Sequence, residues 1–490
     1  MIETIEHRVH FNGTTYEDVV MKYEFDIKGQ LLRSIDPYDR DISVNTYDTR
    51  GQLLRTLHMD RGAQTLVADA MNLPVITEDA KGARTLTAYD DLQRPTSVWA
   101  RDSDSEGDTL RRILSYEDAS GLSNPQNENL KGKLYEHFDE AGKLEYPQYD
   151  FKGNNLENSR RIIADNAVSA YQKFVVDWEN APTLDSANYV VTQEYDALNR
   201  IRKAYYPKDL DSERKEMNPT YNKGGALMAL EVDGVNYIEN IGFNARGQRL
   251  VMTMGNGMMT RYAYNVETFR LVRTRSEKFT VPTGEKYTYD PTGGVQQDLA
   301  YTYDLEGTIQ TQNDEVPSGS SSEGPGGLLR IFRHDPLRRL VSATGRETST
   351  VYDQPGWDLN LRPYDNTSTN AYTRTYEYDK LGNIQKLVHT ADGHANQNFN
   401  RDYTYSDPFD NNLLQSFDVQ GNSYANSYDV SGNLVKTGSD RNCVWGASGK
   451  MVAFKNQAGG GTPSIFTWYF YNCRSPAFSL RKSGVVSGKD

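Results

Sequence analysis

Tyr47-Asp48-Thr49-Arg50-Gly51-Gln52-Leu53 decides how this chain is read. The same string of residue types returns as Phe25-Asp26-Ile27-Lys28-Gly29-Gln30-Leu31, as Tyr378-Asp379-Lys380-Leu381-Gly382-Asn383-Ile384 and as Tyr428-Asp429-Val430-Ser431-Gly432-Asn433-Leu434. Tyr303-Asp304-Leu305-Glu306-Gly307 and Phe138-Asp139-Glu140-Ala141-Gly142 are further copies. Tyr195-Asp196-Ala197-Leu198-Asn199-Arg200 and Tyr89-Asp90-Asp91-Leu92-Gln93-Arg94 replace the glycine. Phe25 to Tyr47 is 22 residues, and Tyr47 to Ala68 and Ala68 to Tyr89 are 21 each. Such a period is too short for a domain and fits one supersecondary unit stacked on its neighbours.

Each unit reads as a β-hairpin. Residues alternate before the tyrosine, as in Thr373, Thr375 and Glu377 against Arg374, Tyr376 and Tyr378, and a second short β-prone segment such as 383–387 follows the glycine. Period two with a Gly or Asn at a fixed turn offset is a strand-turn-strand signal. The Asp side chain can accept the N–H two residues on, the Gly can take positive φ, and the Tyr offers a ring for stacking and a hydroxyl for water or a carbonyl. The expected fold is all-β: tandem hairpins zipped edge to edge into a long curved or spiral sheet, a partial hollow shell with few helices. Structural turn roles fall to Tyr47, Asp48, Gly51, Tyr195, Asp196, Tyr303, Asp304, Gly307, Tyr378, Asp379, Gly382, Tyr428, Asp429 and Gly432.

Composition agrees with a thin wall. Hydrophobic residues are 37% of 490, little for one deep core, yet 33 Tyr and 39 Gly argue against disorder. A formal charge of -13 disfavours nucleic acid and anionic membrane faces. No run approaches the roughly 18 apolar residues of a membrane helix, and residues 1–10 lack the apolar stretch of a signal peptide. Two cysteines, Cys443 and Cys473, do not make a disulfide scaffold; two free thiols are the expectation, with one disulfide between them as the alternative.

The ordered text from Tyr195 onward carries a resemblance. It runs through Pro219-Thr220-Tyr221-Asn222, Gly255-Asn256-Gly257, Thr260-Arg261-Tyr262-Ala263-Tyr264 and Glu267-Thr268-Phe269-Arg270-Leu271. It continues through Asp335-Pro336-Leu337-Arg338-Arg339-Leu340, Ala343-Thr344-Gly345-Arg346-Glu347, the Tyr378 unit and Trp445. The chain resembles the YD-repeat, or RHS-repeat, family, and more closely the repeat shell of the C component of bacterial insecticidal toxin complexes. The likeness covers about residues 20–455. It implies a ribbon wound into a hollow shell, which in toxin members encloses a toxic segment, while other members sit on cell surfaces or act in adhesion.

Departures from that pattern shape the expectations. The family's conserved core segment, with a self-cleaving protease built on paired Asp-Pro motifs and a variable toxin beyond it, is not matched. Asp290-Pro291-Thr292-Gly293 is placed on a Tyr-Asp turn, without a second copy downstream. The chain therefore reads as a piece of a shell. Residues 1–310 are expected to form the repeat array, with a helical insertion near 157–173. A flexible Ser/Gly/Pro loop at 311–328, more repeats at 329–455 and an atypical tail at 456–490 follow. Raw sheet edges at both ends are expected to favour association.

Chemistry is sparsely indicated. The seven histidines form no His-x-x-x-His pair. His7 and His10, and His389 and His394 in a turn-like segment, are expected to be solvated. The carboxylates mostly belong to turns, and no glycosidase pair stands out. The stretch 102–108 reads as an exposed acidic loop, and as the first place to look for calcium. Residues 324–327 lack the Lys-Ser/Thr of a phosphate loop. Asn12 and Asn366 are glycosylation acceptors by pattern alone. The expectation is no catalytic residue, no cofactor and no metal. A non-catalytic shell or scaffold fragment that encloses or helps export a toxic polypeptide is the first reading, with that polypeptide or another toxin-complex subunit as partner. A carbohydrate-binding or adhesion module is the alternative. Either would be secreted or cell-surface associated, by a route without a recognisable signal peptide.

Overall fold

The computed structural model describes residues 2–9, 16–119, 121–168, 173–316, 328–348, 369–406, 411–457, 463, 465–471 and 479–485. Among them are 35 strands, from Ile2–Val9 to Ser479–Val485, and five 3-10 helices of three or four residues. Each strand pairs antiparallel with the next in the chain. The molecule is one meandering ribbon, all-β in class. Because strand direction alternates, successive turns fall on opposite rims. One rim carries the Tyr-Asp turns at Asp26, Asp48, Asp69, Asp90, Asp150, Asp196, Asp304, Asp335, Asp379 and Asp429. The other carries Asp36, Asp79, Asp209 and the tight turns at residues 58–62 and 139–142.

The ribbon bends back on itself. The Lys380 N–H reaches the Tyr38 hydroxyl (3.4 Å), 342 residues away in sequence. The Asn412 N–H donates to Asp60 Oδ1 (2.6 Å), the Lys81 N–H to Ser431 Oγ (3.1 Å) and the Ala447 N–H to Asp102 Oδ1 (2.8 Å). Late turns of the Tyr-Asp rim thus stack on early turns of the opposite rim, and one coil takes about 345 residues. Right-handed strand twist, accumulated over many pairs, supplies the curvature.

Exposure shows how open this arrangement is. The accessible surface is 28917 Å². A compact monomer of 55.5 kDa would expose about 18,000 Å². Among the described residues, buried apolar side chains gather in two small clusters, and other buried residues are scattered along the ribbon. One joins Leu110, Ile163, Val168, Val176 and Trp178 to Ala453, Phe466 and Trp468. The other gathers Leu130, Leu144, Tyr146 and Tyr149.

Several expectations are corrected. The described part of 157–173 holds no α-helix: Asn155–Ile162 is a strand, followed by the single 3-10 turn Asp165–Ala167, while 169–172 lie outside the described residues. Its apolar side chains serve a ladder and a bridge to Leu184 rather than one helical face. Asp290 opens the strand Asp290–Tyr303 instead of a turn, because the chain has already reversed between Thr280 and Asp290. Residues 311–314 finish the strand Ile309–Asp314, and 317–327 lie outside the described residues. The atypical tail contains Ile465–Tyr471 and Ser479–Val485, which continue the ladder from Met451–Asn456.

Two glycines separate backbone strain from coil packing. Gly29 sits at φ +81° with open space where a Cβ would stand, whereas a Cβ on Gly432 (φ +77°) would collide with the Asp60 carbonyl of the neighbouring coil. Gly29→Ala should cost about 1 kcal/mol from left-handed backbone alone. Gly432→Ala should cost at least about 1 kcal/mol more, by overpacking the seam. Thermal midpoints of the two variants that fall together would refute this account.

Candidate functional site at the hairpin turns

Each Tyr-Asp turn is closed by its own carboxylate. Asp48 Oδ1 accepts the Arg50 and Gln52 N–H groups (both 2.8 Å). The backbone adds Asp48 N–H to Gln52 O and Gly51 N–H to Asp48 O. Asp196 takes Leu198 and Arg200, and Asp379 takes Leu381 and Asn383. Asp429 takes Ser431 and Asn433, and Asp304 takes Gly307 and Thr308. The fourth residue is left-handed: Gly51, Gly307, Gly382 and Gly432 have φ between +77° and +101°, and Asn199 has φ +61°. The register slips by one beside the tyrosine, between Thr46 and Tyr47 for example, which is a bulge with a left-handed residue.

The tyrosine ties one hairpin to the one before. Tyr47 donates its hydroxyl to the Leu31 carbonyl (2.9 Å), Tyr303 to Leu271 (2.5 Å), Tyr378 to Leu340 (2.7 Å) and Tyr428 to Leu414 (2.8 Å). Each acceptor opens the preceding strand, where the bulge takes the carbonyl out of the ladder. Tyr195 donates to Gln193 Oε1 (2.8 Å). Trp445 stands in for a tyrosine: its Nε1–H reaches the Leu434 carbonyl (2.8 Å). Tyr471, in the tail, reaches Met451 in the same way (2.8 Å).

A further position was not singled out from the letters. Four residues after the Asp, Arg94, Arg200 and Arg339 each donate Nε–H to the second carboxylate oxygen (2.7 Å). Asn383 and Asn433 do so with Nδ2 (2.8 and 2.9 Å). Arg339 also reaches the Asp379 carbonyl and lies over the Tyr378 ring (4.9 Å), as Arg200 lies over Tyr221 (4.4 Å). The recurring Asp-x-x-x-Arg/Asn spacing was the available signal.

Electrostatics follow from these bonds. The Gln52 N–H holds the Asp48 carboxyl below its ordinary range, the Thr308 N–H does the same for Asp304, and the Arg200 side chain for Asp196. Burial pushes the Tyr378 and Tyr428 hydroxyls up, and Tyr405 from 10.0 to about 12. Asp298 is held down by Arg273 (2.7 Å), so it stays ionised and is unsuited to general-acid work.

Two of the sequence expectations about side chains change. His389 is buried within the strand Ile384–Ala391 rather than solvated: its ring stacks on Phe399 (4.8 Å), accepts from Arg374 Nε at Nδ1 (3.1 Å) and faces Glu347 through Nε2 (2.9 Å). Its cross-strand partners fill the space a solvated ring would need. Asp102, placed in an exposed acidic loop, is 4% exposed and paired with Arg111 (3.3 Å) and Lys173 (2.8 Å). Among the described residues no three His, Cys, Asp or Glu side chains converge to hold a metal ion. Cys443 is a free thiol raised by burial, and Cys473, His10, Asn12 and Asn366 lie outside the described residues.

Against this geometry the relatives are informative. Toxin subunits YenC1 and YenC2 of Yersinia entomophaga are each 25% identical to this chain and cover 93% of it. The chain is homologous to these toxin subunits. It spans about half their length, 47% and 49%. No family model matches it. The crystal structure of TcdB2-TccC3 superposes on 99% of this chain and 24% of its own, with TM-score 0.79 and 21% identity. The Photorhabdus luminescens Tc holotoxin pore covers 96% of this chain and 22% of its own, with TM-score 0.79 and 23% identity. The fold is that of the RHS-repeat shell in these assemblies. No helix among the described residues is long and apolar enough to cross a membrane.

Two outcomes test the turn chemistry. Tyr303→Phe leaves the Leu271 carbonyl without its side-chain donor and should cost about 1–2 kcal/mol, while Tyr206→Phe, whose exposed hydroxyl meets the Met217 sulfur, should cost under about 0.5 kcal/mol. Equal costs in denaturant titrations would remove the hydroxyl's role. A raised tyrosine pKa means stability that is present below the unfolded value and lost as pH rises through the folded one. Unfolding should therefore set in above pH 10.0 and be far advanced by about 12, with phenolate absorbance and loss of sheet dichroism rising together. Ionisation of most tyrosines ahead of unfolding would contradict it.

Proposed function

We propose that this chain is a non-catalytic wall segment of a toxin complex, a length of coiled hairpin ribbon that encloses a toxic polypeptide or helps to export it. The observation that carries the reading is the seam, where a Tyr-Asp rim packs on the opposite rim of the previous coil. A ribbon that closes on itself in this way builds a container rather than a catalytic cleft. Most of both rims remains free to meet further coils, supplied by more of the same polypeptide or by another toxin-complex subunit. Homology to toxin subunits supports the reading, as does a fold shared with Tc assemblies. On this view the chain leaves the cell as part of a larger assembly.

The adhesion alternative leaned on free aromatic faces. Many rings are engaged instead: Arg94 covers Tyr116 (4.1 Å), Arg246 covers Phe269 (3.3 Å), and Phe417 stacks on Tyr424 (4.9 Å). Sugar stacking would have to displace these partners.

Co-expression with the polypeptide encoded beside it tests the proposal. The neighbour should co-purify and resist protease at concentrations that digest it when free. Digestion at equal rates with and without the chain, together with retention on a polysaccharide matrix, would favour adhesion.

A further inference from the structure

The seam holds one feature that the repeat pattern does not account for. Between the strands Asn155–Ile162 and Tyr189–Tyr195 the chain leaves the ladder, and residues 173–184 run as irregular backbone broken by the single 3-10 turn Trp178–Asn180. It is pinned at its far end by the bridge between Ile163 and Leu184 and by the Ala164 N–H to Thr183 O bond (2.9 Å).

On one side this segment grips the first coil. Asp177 Oδ1 accepts the Leu110 N–H (3.2 Å), at the place where the register of the Thr109–Tyr116 strand slips. Trp178 donates Nε1–H to the Asp139 carbonyl (3.2 Å) and meets Phe138 edge-on (4.9 Å). Glu179 accepts the Trp99 indole N–H (3.2 Å). On the other side it grips the second coil. Phe174 meets Phe470 edge-on (5.8 Å), and Val176 and Trp178 share a buried cluster with Ala453, Phe466 and Trp468.

Asp102 joins the two grips. One oxygen takes the Ala447 N–H of the second coil, and the other pairs with Lys173 and with Arg111. Lys173 also bonds both Glu106 oxygens (2.6 and 2.8 Å). Elsewhere on the seam the contacts are polar ones at turn tips, such as the Lys81 N–H to Ser431 Oγ (3.1 Å), the Lys81 ammonium beside Asp429 (3.7 Å) and Arg40 to the Asn411 carbonyl (3.1 Å), each worth about 1 kcal/mol net and without apolar burial beside them. Here an ion pair with little exposure and an aromatic cluster act together.

We propose that residues 173–184 are a strap that fastens the second coil to the first, so that the seam opens only when the strap lets go. The inference rests on the coil geometry and is independent of what the wall encloses.

The test is hydrogen–deuterium exchange on the full chain, comparing wild type, Phe174→Ala and Lys173→Glu. Peptides over the seam turns, 79–83, 429–433 and 446–450, should exchange at least about tenfold faster in both variants. Strands Leu227–Val232 to Met258–Tyr264, remote from the strap in sequence and on neither side of the seam, should exchange as in wild type. A reciprocal arm guards against simple misfolding. Phe174→Cys with Phe470→Cys, in a Cys443→Ser, Cys473→Ser background and bridged by a short bis-maleimide, should slow seam exchange below that of the unbridged protein. Unchanged seam exchange in both substitutions, acceleration spread evenly along the ribbon, or a bridge that leaves the seam unprotected would each overturn the proposal.

Discussion

A turn on the rim of a sheet has backbone N–H groups that no ladder partner can take. This ribbon repeats that problem at both rims for its whole length, and the Asp carboxylate answers it locally. One oxygen takes two N–H groups of the turn, and the other is left for an Arg or Asn four residues on. The acceptor is supplied by the same seven residues that make the turn, so no tertiary contact is needed to form it. A hairpin can therefore close before its neighbours exist, and the array can grow unit by unit.

Local closure explains why a deep core is unnecessary. The ladder satisfies the strands, the carboxylate satisfies the turn, and the tyrosine hydroxyl satisfies the one carbonyl that the bulge removes from pairing. What remains is to hold neighbouring hairpins in register. That falls to the arginine that bonds its own Asp and covers the next tyrosine, as Arg339 does with Asp335 and Tyr378. Replacing the tyrosine by Trp445 preserves the donor to the carbonyl. The hydrogen bond, more than the phenol, is what the position demands.

Much of the fold was legible because it is local. Alternation, the Tyr-Asp pair and the glycine offset speak of hairpins within seven residues, and a 21-residue period speaks of stacking. What could not be read depends on distance in space. Asp60 and Asp102 look like ordinary acidic residues until turns some 350 positions later dock on them. His389 sits among letters that suggest a turn, yet cross-strand neighbours Arg374 and Phe399 bury it. The stretch 157–173 carries apolar residues whose spacing mimics a helix, because a strand end, a bridge and a packing segment follow one another there. The tail lost the repeat's letters while keeping its geometry, through Tyr471.

The placement of the larger buried cluster follows from the same logic. Within a coil, each strand is held by two ladders, so removing one side chain loosens little. Among the described residues no ladder links the two coils: the rims meet turn against turn. A coiled wall is therefore weakest across its seam, and hydrophobic burial has most to contribute at that line. Trp178, Phe466 and Trp468 meet there and draw on both coils. The ion pairs of Asp102 lie beside them, where low exposure limits screening by water and salt. This chain gathers both at the segment between Ile162 and Tyr189, where the described chain leaves the ladder.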